Sequence, residues 1–210
     1  MKILLLGSTG RVGQSLLKMM LKDENDVTVL VRDRNKLQVS HPNLHILQGD
    51  VLHQENINFA LKHQDIVVSA LNTDGAETIS KSMPLIINSM KYYGVHRILT
   101  IGTAGILQSR TEPEKYRFQS NESKRKTTRA AEDHLKGYLH LKESDLNWTV
   151  ICPTYLPEGE ITGTYRVEKD ILPADAVKIS TGDTAHFTYH EIWAQKFPKC
   201  RRSRCQWLLL

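Results

Sequence analysis

The amino-acid sequence predicts an α/β protein, a doubly wound parallel sheet flanked by helices, with a small extension on the substrate side near the C-terminus. Three observations carry this. Short apolar runs alternate with helix-sized amphipathic segments, the pattern of βαβ units with right-handed crossovers. The runs are apolar throughout rather than at every second residue, as in strands covered on both faces. The first run is followed at once by spaced glycines and then by a helical pattern.

In chain order, KILLL (2–6) reads as the first strand and QSLLKMMLK (14–22) as the helix behind it. VTVLV (27–31) and LHIL (44–47) are the next strands, and ENINFALKH (55–63) suits a helix. DIVVSAL (65–71) is the fourth strand. ETISKSMPLIINSMKYYG (77–94) reads as a long helix ended by Gly94, with Pro84 interrupting it or starting its main portion. RILTIG (97–102) is the fifth strand, 103–120 is polar and irregular, 121–144 is read as one helix, and WTVIC (148–152) is the sixth strand. STGDTAHFTYHEI (180–192) closes the pattern as a last helix.

The chain of 210 residues is ordinary in composition, with 40% hydrophobic and 24% charged residues, and suits one core. One domain is expected over residues 1–192, leaving 193–210 as an atypical basic tail read as disordered or degenerate. The apolar start ILLL is too short for a signal core or a membrane span, which points to the cytoplasm. Cys152, Cys200 and Cys205 read as reduced thiols, and no metal site is expected of them. The net charge of +5 is concentrated in KRKTTR (124–129) and KCRRSRC (199–205), and suits a solvated surface or an anionic cofactor better than nucleic acid.

The chemistry starts at GSTGRVG (7–13). Between a strand and a helix, Gly7 allows the tight turn and Gly10 admits a pyrophosphate. Gly13 lets the helix pack closely, with its N-terminal amides facing the phosphates. The spacing is GxxGxxG. VLVRDRNK, about 20 residues on, is where adenosine specificity is set. Arg32 there can pair with the 2′-phosphate of NADP(H), while Asp33 leaves NAD(H) open. Asp50 and Val51 in GDV would approach the adenine, and SALNT (69–73) would run beside the pyrophosphate and ribose.

With GSTGRVG, VLVRD, QGDVL, SALNT and NWTVICP in this order, the chain resembles the atypical short-chain dehydrogenase/reductase group with NmrA-like NAD(P)H-binding domains. Within that group it is most similar to the flavin reductase/biliverdin-IXβ reductase type, from residue 2 to about 191. The resemblance implies a Rossmann-like fold and NAD(P)H binding. By position it implies dinucleotide contacts at Gly7, Thr9, Gly10, Arg11, Val12, Arg32, Asn35, Lys36, Asp50, Val51, Leu71 and Asn72. It places Thr103 beside the nicotinamide, His134 on the helix before WTVIC as a candidate proton donor, and Pro153 to Tyr155 on the substrate side. Tyr155 stands where the family has a histidine, a departure that bears on biliverdin-like activity.

Ordinary short-chain dehydrogenases use a Tyr-x-x-x-Lys pair to protonate a carbonyl oxygen. The two such spacings here, Tyr138–Lys142 and Tyr165–Lys169, are read as structural. A flavin or quinone takes hydride into a conjugated ring and its proton from solvent, so it needs mainly proximity. The expected function is an NAD(P)H-dependent reductase of such an acceptor, with Thr103, His134 and Tyr155 as candidate catalytic residues. The alternative is an NmrA-like NADP(H) sensor without turnover. A sugar-nucleotide epimerase or dehydratase fits less well, because the tyrosine and a large C-terminal substrate domain are both missing. Neither a membrane nor a nucleic-acid partner is expected, and oligomeric state is left open.

Overall fold

A computed structural model describes residues 1–196 apart from positions 74, 76 and 124, together with the backbone of Trp207 and Leu208. The strands are β1 (Lys2–Leu6), β2 (Asp26–Val31), β3 (Leu44–Gln48), β4 (Ile66–Ser69), β5 (Arg97–Ile101), β6 (Asn147–Ile151) and β7 (Trp207–Leu208). The helices are α1 (Arg11–Lys22), α2 (Gln54–Leu61), α3 (Thr78–Tyr93), α4 (Arg129–Glu143) and α5 (Thr181–Ala194). The strand order is β3-β2-β1-β4-β5-β6-β7, and every pairing is parallel. The order reverses between β1 and β4, which is where an open α/β sheet leaves a crevice at its carboxyl edge. This is the Rossmann-like architecture, six principal parallel strands between five helices.

The apolar strands feed two cores. In β1, Ile3 and Leu5 pack with α1 and α5 on one face, while Leu4 and Leu6 pack with α2, α3 and α4 on the other. A strand that buries both faces has no room for polar alternation, and that is why the runs read as continuous.

Three of the departures from the sequence reading have a visible physical cause or extent. Pro84 neither interrupts nor starts a helix; α3 runs unbroken from Thr78 through it to Tyr93. One lost backbone bond is offset by burial of Ile79, Met83, Ile86, Ile87 and Met90 along the same helix. The helix expected from 121 starts only at Arg129. Glu122 is held in the preceding loop instead, where its carboxylate accepts from Ser109 Oγ at 2.8 Å and Thr111 N at 2.9 Å. The last helix runs two residues into the expected tail, because Trp193 and Ala194 complete α5. Beyond it, β7 adds two residues beside β6, with Val150 opposite Trp207 and Ile151 opposite Leu208. The remainder of the tail, including Cys200 and Cys205, lies outside the described residues.

Candidate nucleotide-binding site

A cleft of about 170 Å³ opens at the carboxyl ends of β1, β2, β3 and β4. It is lined by Gly7, Thr9 and Gly10 from the first turn, and by Leu30, Val31 and Arg32 from β2 and its end. Gly49 to Leu52 follow β3, Ala70 to Asn72 follow β4, and Thr78 opens α3. The glycines explain its floor. Gly7 adopts φ +78°, and a Cβ there would lie 2.4 Å from the Ala70 carbonyl oxygen. Gly13 brings α1 against the same turn, since its Cβ would stand 2.1 Å from the Gly7 oxygen.

Gly10 differs from both. Its Cβ would meet the Gly7 oxygen at 3.3 Å and the Ala70 oxygen at 3.9 Å, so the protein's own atoms nearly allow a side chain there. Gly10 is the N-cap of α1, and the helix has no acidic residue in its first turn. First-turn amides have no carbonyl of their own helix to bond, and the helix dipole adds positive potential at that end. The exposed Gly10 therefore leaves a bare approach to an anion-binding helix terminus.

The second wall distinguishes Arg32 from its neighbour. Asp33 caps the short 3-10 turn Arg34–Lys36, its Oδ1 accepting from Asn35 N at 3.0 Å, while Arg32 lines the cleft. Asn35 and Lys36 are exposed on that turn and do not line the cleft. The loop after β3 is fixed by Asn56, whose Oδ1 accepts from Asp50 N at 2.9 Å. Asp50 Oδ1 in turn accepts from Leu52 N at 3.0 Å. Val51 is buried beside them. At the end of β4, Asn72 Oδ1 accepts from Thr73 N at 2.8 Å.

Other residues singled out by the sequence lie elsewhere. The Arg11 guanidinium donates to the Leu156 carbonyl at 3.0 Å, away from the cleft, and Val12 is buried in the α1 core. Thr103 follows β5, and its hydroxyl accepts from Gly105 N at 3.4 Å. Pro153 follows β6, and its carbonyl accepts from Ala104 N at 2.9 Å, so these two strand ends are tied together. His134 is half-buried among Ile79, Met83, Ile106 and Leu141. Burial holds its imidazole down at about 4, against an upward pull from Asp133. The Tyr155 side chain is 62% exposed. The two tyrosines of the Tyr-x-x-x-Lys spacings are engaged with other aromatic side chains. Tyr138 stacks edge-on against Trp148 at 5.8 Å, and Tyr165 Oη bonds His186 Nδ1 at 2.9 Å. Cys152 is fully buried, and burial pushes its thiol far up.

Asn56 and Thr78 are the site residues the sequence reading missed. Thr78 could have been found from the helix start read at Glu77; Asn56 gives no local signal beyond a polar side chain on a short helix. Asp133, on α4, does not line the cleft but supports one of its walls. It is 3% exposed, and its carboxylate accepts from Ile79 N at 3.2 Å and Ser80 N at 2.9 Å. Those are first-turn amides of α3, so α4 caps the helix that brings Thr78 to the cleft.

A strand-turn-helix glycine cradle at the switch point of a 3-2-1-4-5-6 sheet defines a nucleotide-binding protein. The family model described as NAD(P)H-binding matches residues 7–192, and the chain belongs to that family. It is 29% identical to the uncharacterized Bacillus subtilis protein YwnB over 175 residues, covering 81% of this chain and 80% of that one. A solved structure from Bacteroides thetaiotaomicron, provisionally named an epimerase, is 28% identical with a TM-score of 0.85, over 99% of this chain and 95% of that one. A Streptococcus pneumoniae structure provisionally named an NADH-flavin reductase shares the fold at 23% identity and a TM-score of 0.82, over 100% of this chain and 98% of that one. An anaerobillin reductase from Escherichia coli O157:H7 shares it at 16% identity and 0.77, over 100% and 97%. Among the described residues, no helix is long and apolar enough to cross a membrane.

Proposed function

We propose that this chain is an NADPH-dependent reductase that passes a hydride to a small conjugated acceptor such as a flavin or quinone. The observation that carries the cofactor preference is the division of labour after β2. Arg32 lines the cleft, while the Asp33 carboxylate that would bind a ribose hydroxyl is engaged in capping Arg34–Lys36. The α1 terminus would hold the pyrophosphate, and Asp50 with Val51 would border the adenine. The nicotinamide dinucleotide supplies the hydride when bound, and the acceptor takes its proton from solvent. Thr103 and Pro153, at the joined ends of β5 and β6, would orient the reacting rings. A neutral His134 and an exposed Tyr155 suit contact with an acceptor better than proton donation.

The reductase names carried by fold neighbours support this reading, as do the packing of Tyr138 on Trp148 and the bond of Tyr165 to His186. The test is isothermal titration of the pure protein with NADPH and NADH, followed by an absorbance assay with added flavin or quinone. Tight NADPH binding with turnover is the expected result. One observation favours the NADP(H)-sensor reading: Thr103 Oγ1 already accepts a backbone bond, and neither His134 nor Tyr155 lines the cleft. Tight binding without turnover of any acceptor would select it. Failure of both nucleotides to bind would refute both.

A further inference from the structure

Outside the cleft, α5 carries two histidines one turn apart, His186 and His190, whose Nε2 atoms face each other at 3.0 Å. Residues four apart on a helix share one face, so the pair is built into the backbone. His186 is half-buried and His190 is exposed, which leaves the site open from solvent. Two imidazole nitrogens this close cannot both carry a proton; one must be a bare acceptor.

The surroundings orient the pair. Asp183, one turn earlier, accepts from Thr162 N at 2.7 Å, Thr162 Oγ1 at 2.8 Å and Gly163 N at 2.9 Å. This clamp holds the 162–165 segment against α5 and delivers Tyr165, whose hydroxyl lies 2.9 Å from His186 Nδ1. Tyr165 also stacks edge-on against Phe187 at 5.9 Å, which fixes its ring. When His186 keeps its proton on Nδ1 and donates it to Tyr165 Oη, its Nε2 is free to coordinate, the usual arrangement for a metal-binding histidine.

We propose that His186 and His190 form a two-imidazole chelate for a divalent first-row metal ion that favours right-angle coordination, with Tyr165 as the positioning residue for His186. The 3.0 Å separation is that of the hydrogen-bonded pair, and a right-angle ion can replace the proton with little movement of either ring. With metal–nitrogen bonds of about 2.05 Å, nitrogens 3.0 Å apart subtend ~94° at the metal. That angle suits adjacent positions of a tetragonal or octahedral ion, Cu(II) or Ni(II), whereas tetrahedral Zn(II) would need the nitrogens roughly 3.3 Å apart. The remaining positions go to water. Binding moves the proton between the two Nε2 atoms to His190 Nδ1, so both rings stay neutral and the metal takes its place.

The test is calorimetric titration of the tag-free, full-length protein with Ni(II) and with Zn(II), beside His190→Asn, His186→Asn and Tyr165→Phe, with circular dichroism to verify the fold. The expected result is one Ni(II) per chain, bound more tightly than Zn(II), and weakened more than about tenfold in His190→Asn because chelation is lost. Tyr165→Phe should weaken Ni(II) by about tenfold while leaving the stoichiometry at one, as loss of an orienting hydrogen bond does. His190 is exposed, so its replacement tests the site even if His186→Asn disturbs packing. Equal Ni(II) affinity in wild type and His190→Asn would overturn the site. Tighter binding of Zn(II) than Ni(II) would overturn the right-angle geometry, and an unchanged affinity in Tyr165→Phe would overturn the role of that hydroxyl.

Discussion

The three glycines of GSTGRVG make separable predictions, and the contrast between Gly10→Ala and Gly13→Ala is the sharpest. At Gly13 a methyl would stand 2.1 Å from the Gly7 oxygen, where ordinary contact begins at 3.4 Å. The obstacle is backbone, so α1 must retreat by about 1 Å, a forced overpacking that costs roughly 1–3 kcal/mol. In a chain of this length that is a fall in Tm of about 2–4 °C per kcal/mol. The retreat also withdraws the α1 amides, so nucleotide binding should weaken as well, by about tenfold for each 1.4 kcal/mol lost. At Gly10 the nearest atoms are at 3.3 and 3.9 Å, and the backbone has an ordinary extended conformation. Gly10→Ala should leave Tm within about 2 °C of wild type, since substitutions away from strained sites usually stay within ~0.5 kcal/mol. Its methyl nevertheless projects where the pyrophosphate must approach, so NADPH binding should fall at least about tenfold. Thermal melts read the first effect and calorimetry the second. Wild-type NADPH affinity in Gly10→Ala would refute the placement of phosphate over this turn. A Gly10→Ala variant less stable than Gly13→Ala would refute the packing argument.

Arg32→Ala should weaken NADPH by about 10–100-fold, the worth of a charge-assisted phosphate contact, and leave NADH almost unchanged; equal losses for both would remove Arg32 from the 2′-phosphate. His134 has a folded-state value near 4 against an ordinary 6.5, so below pH 6.5 the unfolded chain binds the proton the folded one refuses. Stability should therefore decline as pH falls from 6.5 towards 4, by up to roughly 3 kcal/mol, and denaturant melts of His134→Asn should show a shallower decline. Arg97 and Glu191 are 8% and 2% exposed with a 3.5 Å contact between β5 and α5, and burial lowers the Arg97 value to about 10. Glu191→Ala strands that guanidinium and should cost about 3–5 kcal/mol in urea unfolding, whereas an unchanged midpoint would mean that Arg97 is paired adequately without it.

The order of strands and helices was readable because every principal strand is an apolar run, a consequence of burial on both faces. The glycine turn was readable because two of its glycines answer to backbone atoms of the protein itself. What escaped was decided by contacts across the sequence. The start of α4 could not be placed because the bonds that hold Glu122 in a loop come from Ser109, Arg110 and Thr111. The exclusion of Asp33 from the cleft depends on a turn that its own side chain caps. Asn56 supports the Asp50 loop from six residues away, with nothing in its neighbours to announce it.

Asp133 and His134 show why adjacency in sequence misleads at a site of this kind. Neighbouring helical positions lie about 100° apart around the axis, so two consecutive side chains on α4 serve different surfaces. Asp133 reaches across to the α3 amides and sets where Thr78 meets the cleft. His134 turns into the apolar seam between the same two helices, and burial there keeps it neutral at physiological pH. The carboxylate gains two backbone donors that satisfy its charge, while an imidazolium beside Ile79, Met83 and Leu141 would gain no comparable compensation. The same seam thus supplies backbone donors to the Asp133 carboxylate and holds His134 uncharged. The α4 helix supports the cleft through the position of α3, and through the aspartate rather than the histidine.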